Sequence, residues 1–61
     1  MKALSGHLTP LALSQRWEMS EGTLANWRAA GRGPKFTKKF GRVWYPLEAV
    51  TLFERKHGLA A

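Results

Sequence analysis

Gly31-Arg32-Gly33-Pro34-Lys35-Phe36-Thr37-Lys38-Lys39-Phe40-Gly41-Arg42-Val43-Trp44-Tyr45-Pro46 is the stretch on which the fold turns. Its first four residues are a cluster of backbone breakers that no helix or strand runs through. Lys35–Lys39 and Val43–Tyr45 are short β-prone runs on either side of Phe40-Gly41-Arg42, a glycine-containing turn, and this predicts a hairpin. Side chains alternate along a strand, so Val43 and Tyr45 share the inward face and Trp44 takes the other. Pro46 ends the ladder and opens a helix.

Upstream, Thr9-Pro10 starts a helix. Threonine is a good N-cap, and proline is tolerated at the first helical position, where its missing N–H would have no partner. This helix is expected over Pro10–Trp17, with Pro10, Leu13 and Trp17 on one face. Glu18-Met19 is a connector and Ser20 the next N-cap, followed by Glu21 in the first turn, where the helix dipole favours negative charge. The second helix is expected from Glu21 to Ala30, with Leu24 and Trp27 inward and Gly31 as its stop. Downstream, a third helix is expected from Leu47 to His57, with Val50 and Phe53 inward, joined by Leu47 and Leu52, and Gly58 as the stop. Residues 1–8 read as a flexible arm, 9–58 as the domain and 59–61 as a tail. The whole is mainly α with a small β-hairpin. The three-residue joint between the first two helices matches a helix-turn-helix.

A chain of 61 residues buries only about 60% of its unfolded surface, so its core is thin. Three Trp, three Phe and one Tyr are the means to fill it, with Trp17 and Trp27 as core by their helical spacing. There is no cysteine, which excludes disulfides and thiolate metal sites and fits a cytoplasmic protein. Two isolated histidines, His7 and His57, do not make a metal site, and no cofactor is implied. No apolar run approaches the roughly 20 residues that span a bilayer, and Met1–His7 lacks the apolar region of a secretory signal. There is no nucleophile–base pair, no carboxylate cluster and no phosphate loop, so no catalytic residue is expected and the chain does not read as an enzyme. Ten Lys and Arg oppose four Asp and Glu, a formal net charge of +6. Arg28, Arg32, Lys35, Lys38, Lys39 and Arg42 crowd into one window, with no acidic residue between Glu21 and Glu48. Charge so placed favours a polyanionic partner.

Leu8-Thr9, Ser20, Thr23-Leu24, Trp27-Arg28, Gly33-Pro34, Arg42-Val43, Tyr45, and Val50 with Phe53 occur in an order that resembles the excisionase and AlpA-like group of small helix-turn-helix proteins, which is related to the DNA-binding domain of the MerR regulators. The resemblance covers residues 8–55. It implies a winged helix-turn-helix, with the second helix in the major groove and the hairpin as a wing on the backbone or minor groove. It also implies a bacterial or phage role as excisionase, recombination directionality factor or small transcription regulator. Two positions depart from the pattern. Glu18 stands where the family's turn carries glycine, and Leu11 stands where a polar residue is usual.

With Leu24 and Trp27 inward, a 100° step turns Gly22, Ala25, Asn26 and Ala29 outward, with Glu21 and Arg28 at the margins. Gly22 and Ala25 let a duplex approach closely. Asn26 suits an adenine edge, and Arg28 a guanine or a phosphate. Glu21 either accepts from a cytosine amine or serves the helix dipole. Ser20 and Thr23 reach phosphates or cap the helix. Arg32, Lys35, Lys38, Lys39 and Arg42 are the wing's phosphate contacts, with Arg42 at the tip able to enter a narrow minor groove. Trp44 either touches DNA sugar or a neighbouring copy, or packs on Phe36 or Phe40 across the hairpin.

So few base readers give a monomer only about 2–5 kcal/mol of discrimination. Cooperative binding of further copies, with bending of the DNA, is therefore expected, and an integrase or recombinase is a further partner. A protein-binding adaptor or anti-activator is a rival reading, supported by Leu11 and Trp44. The aromatic-rich surfaces of RNA modules are missing.

Overall fold

Three helices and a small three-stranded antiparallel sheet make up residues 6–58, the part of the chain that the computed structural model describes. In chain order they are β1 (His7–Leu8), α1 (Pro10–Trp17), α2 (Glu21–Ala29), β2 (Thr37–Lys39), β3 (Arg42–Pro46) and α3 (Leu47–His57).

Local chemistry sets the helix ends. The Thr9 side chain accepts from the Ala12 N–H at 3.0 Å, with Pro10 opening α1 behind it. Glu18 terminates α1 in the left-handed region (φ 55°, ψ 48°), which lets the Met19 N–H donate back to the Ser14 carbonyl at 2.9 Å. That conformation costs a residue with a Cβ about 1–2 kcal/mol. Ser20 caps α2 by accepting from the Thr23 N–H at 3.0 Å. At the other end Arg32 N–H donates to the Trp27 carbonyl at 2.7 Å and Gly31 N–H to the Arg28 carbonyl at 3.2 Å, the bond pair of a Schellman motif. Ala30 is therefore the cap of α2 and Ala29 its last helical residue, one short of the expected end.

The hairpin pairs Thr37 with Trp44, Lys38 with Val43 and Lys39 with Arg42. Its turn is the two residues Phe40 (φ 55°) and Gly41 (φ 69°). Positive φ at both matches a type I′ turn, whose twist suits antiparallel strands. Arg42 is thus the first residue of β3, beside the tip and not on it. Lys35 and Phe36 lie ahead of β2.

The arm expected over residues 1–8 needs correction. His7 pairs with Pro46 and Leu8 with Tyr45, so β3 is the central strand in the order β1-β3-β2. The Leu47 N–H donates to the Gly6 carbonyl at 2.8 Å. No side chain caps α3, and this backbone bond takes one of its otherwise unpartnered N–H groups. Residues 1–5 and the tail at 59–61 lie outside the described residues.

Leu13, Leu24, Tyr45 and Val50 form the buried core, with Leu8, Trp17, Met19, Trp27 and Val43 against it. Trp17, Trp27 and Phe53 make a triangle where the three helices meet, with ring centroids 5.5–6.3 Å apart. Such pairs add roughly 0.5–1.5 kcal/mol beyond the area they bury. Gly33, at φ 85°, lies so close to this triangle that a Cβ would stand 3.0 Å from the Trp27 ring. Leu47 and Leu52 do not join Val50 inward, since both are exposed. The inward position one turn after Val50 belongs to Glu54. Arg16 grips this carboxylate with two hydrogen bonds (Nε–Oε2 2.7 Å, Nη2–Oε1 3.0 Å), and the Trp17 indole donates to Oε2 at 2.6 Å. The hydrogen bonds from Arg16 and then Trp17 hold the Glu54 carboxyl below its ordinary pKa, against the opposing effect of burial. The carboxylate in turn raises that of Arg16.

Candidate nucleic-acid interface

The outward side of α2 is as small and open as the helical step predicts. Glu21, Gly22, Ala25, Asn26 and Ala29 are all exposed. At the head of the helix, Ser20 and Thr23 hydrogen-bond each other through their side-chain oxygens at 2.9 Å, in addition to the cap. Their hydroxyls are thus already structural.

Arg28 is half-buried and held. Its Nη1 donates to the Tyr45 hydroxyl at 2.6 Å, and its guanidinium lies 5.8 Å from the Phe36 ring centroid and 5.9 Å from that of Tyr45. Tyr45 is buried to 1% exposure, so it fixes the arginine to the core while the remaining guanidinium N–H groups keep their donor capacity.

The cations in and ahead of the hairpin have no ion-pair partner among the described residues. Arg32, Lys35, Lys38, Lys39 and Arg42 are all exposed. Among the described residues the single ion pair is Arg16–Glu54, and no hydrogen bond ties the charged end of any of these five. Lys39 and Arg42 are directly cross-strand, a like-charge pairing that costs stability.

Two open depressions border α2, one reaching the hairpin and one reaching the segment that leads into it. Thr9, Pro10, Leu11, Glu21, Arg42 and Val43 line one of about 480 Å3. The other, of about 300 Å3, runs from Arg28 through Arg32 to Lys35 and Phe36. From Glu21 to Arg28 the helix rises about 10 Å. From Arg42 to Tyr45 the strand advances about 10 Å as well. Glu21 shares a groove with Arg42 at one end, and Arg28 bonds Tyr45 at the other. Both ends of α2 are therefore tied to β3, with Arg42 beside its first residue and Arg32 and Lys35 beside its last turn.

Trp44 does not belong to this surface. It is only 4% exposed, and its indole N–H donates to the Lys39 carbonyl across the hairpin at 3.1 Å. That removes it as a contact to DNA sugar, a second copy or a protein partner. The partners expected for its packing also lie elsewhere: Phe36 packs against Tyr45, with centroids 6.2 Å apart, and Phe40 projects from the tip at 83% exposure. Leu11 is exposed within the groove that Glu21 and Arg42 share. Two residues were missed from sequence. Tyr45 was read as core alone, though its hydroxyl needs a partner wherever it is buried. Phe40 was read as a packing residue, though Phe-Gly stands where a two-residue turn usually has Asn-Gly.

No group of three or more His, Asp or Glu side chains able to hold a metal ion occurs among the described residues. Nor is any of their helices long and apolar enough to cross a membrane. No family model, curated protein or solved structure matches the chain.

Proposed function

We propose that the protein binds double-stranded DNA as a winged helix-turn-helix, with α2 in the major groove and the β2–β3 hairpin as the wing. The observation that carries this reading is a basic surface at both ends of α2: Arg42 shares a groove with Glu21, Arg32 and Lys35 share one with Arg28, and these three, with Lys38 and Lys39, are exposed and make no ion pair among the described residues. A protein that merely needed solubility would intersperse both signs of charge there. In this reading Asn26 and Arg28 read base edges and Gly22 and Ala25 permit close approach. Arg32, Lys35, Lys38, Lys39 and Arg42 take phosphates. Leu11, in the groove beside Glu21 and Arg42, is in this reading a contact to a thymine methyl, which gives its exposure a use without a protein partner. The resemblance to excisionases and AlpA-like proteins supports an architectural role in recombination, several copies binding neighbouring sites beside a recombinase.

The test is affinity for duplex DNA against salt. Five neutralised phosphates give a slope of log affinity on log salt of about −4 to −5. A slope near zero, or no binding, rejects the proposal. A footprint over repeated sites in an attachment region favours the recombination role, and one confined to a promoter favours transcription control.

A further inference from the structure

We infer that Phe40 is an apolar wedge that enters the minor groove of the bound duplex and opens a base step. This deepens the DNA-binding proposal and rests on it. Phe40 occupies the first central position of a two-residue turn at φ 55°, where glycine or asparagine is at ease and a residue with a bulky side chain is strained. Strain of this kind is usually offset by packing, yet the ring is 83% exposed. Within the protein, then, neither the backbone nor the core gains from a phenylalanine here. Strained residues that their own fold does not need cluster at sites of function.

The surroundings of the ring identify the partner. Lys39 and Arg42 flank the turn as a cross-strand pair, with Lys38 next along β2, all exposed and in no ion pair among the described residues. An aromatic ring mounted between cations fits a polyanion with faces to stack on, and nucleic acid is the polyanion that has both. The two-residue turn is slim, as a groove about 6 Å wide requires. Apolar side chains inserted at base steps from the minor groove unstack them and bend the duplex, and pyrimidine–purine steps yield most readily.

The test uses the full chain and a short alternating A·T duplex with 2-aminopurine at one adenine and a dye at each end. Wild-type protein is expected to raise the 2-aminopurine fluorescence and shorten the end-to-end distance. Phe40→Asn, which suits the left-handed backbone and so preserves the fold, should weaken binding roughly tenfold, the scale of one base–aromatic stack. At saturation it should give neither signal, with the salt slope unchanged. Phe40→Trp should retain both. Wild-type binding without either signal, or a saturated Phe40→Asn complex with both, overturns the wedge and leaves DNA binding standing. So does a Phe40 dependence seen only with anionic lipid vesicles. Failure of the wild-type protein to bind any duplex overturns both readings together.

Discussion

The Arg28 guanidinium donates to the Tyr45 hydroxyl at 2.6 Å and lies beside the rings of Tyr45 and Phe36, which couples the last turn of α2 to the middle strand of the sheet. A hydrogen bond to a charged group contributes about 1.5–3 kcal/mol. An arginine fixed in this way has less rotamer freedom to lose on meeting a ligand. On the DNA-binding proposal, Arg28→Ala should weaken binding to the preferred duplex more than to random duplex, by about 1–3 kcal/mol of discrimination. Tyr45→Phe keeps the ring and removes the acceptor, so it should cost some of the same discrimination, but less. Lys38→Ala should weaken both complexes alike and lower the salt slope by about 1. Competition gel shifts measure all three. Equal losses on the two duplexes for Arg28→Ala would remove it as a base reader.

Glu54 makes stability depend on acid pH. Its folded pKa is lowered by Arg16 and Trp17, so between that lowered value and the unfolded value, about 4.3, the native state binds fewer protons than the unfolded one. Its contribution is therefore fully present above the unfolded pKa and is lost as pH falls through the folded one. Urea midpoints across this range should fall more steeply for the wild type than for Glu54→Gln. At neutral pH the variant should be less stable by roughly 2–3 kcal/mol, below the range for a fully buried pair because the Arg16 side chain is 30% exposed. Parallel pH curves for the two proteins would exclude the network as the cause.

Glu18→Gly should stabilise the fold. The backbone at φ 55° costs glutamate what it does not cost glycine, and the side chain is exposed. The gain, less the greater freedom of glycine in the unfolded chain, is about 0.5–1 kcal/mol, or roughly 2–8 °C in Tm. Thermal unfolding checks this. A lower Tm would mean that the carboxylate has a role outweighing the backbone strain.

Helix boundaries were legible in the sequence because caps and breakers act locally: Thr9-Pro10 and Ser20 start helices where expected, and Gly58 ends one. The wing cations were legible as exposed because isolated charges stay in water. What the sequence hid depended on distant residues. His7–Leu8 is too short for any periodicity and is a strand only because β3 offers it an edge. Nothing near Glu54 in the sequence marks its role, because its partner Arg16 lies 38 residues away. Leu52 looked like core on hydropathy, but it is out of step with Val50 and Glu54 on the helix. For Trp44 strand alternation leaves contact and packing both open, and its burial at 4% exposure decides for packing.

Because β3 has a neighbouring strand on either side, a core tyrosine near its end and α3 continuing directly from it, the hairpin is anchored at its root. In a complex of the proposed kind, a force on the tip is passed through this root to the core and to α3.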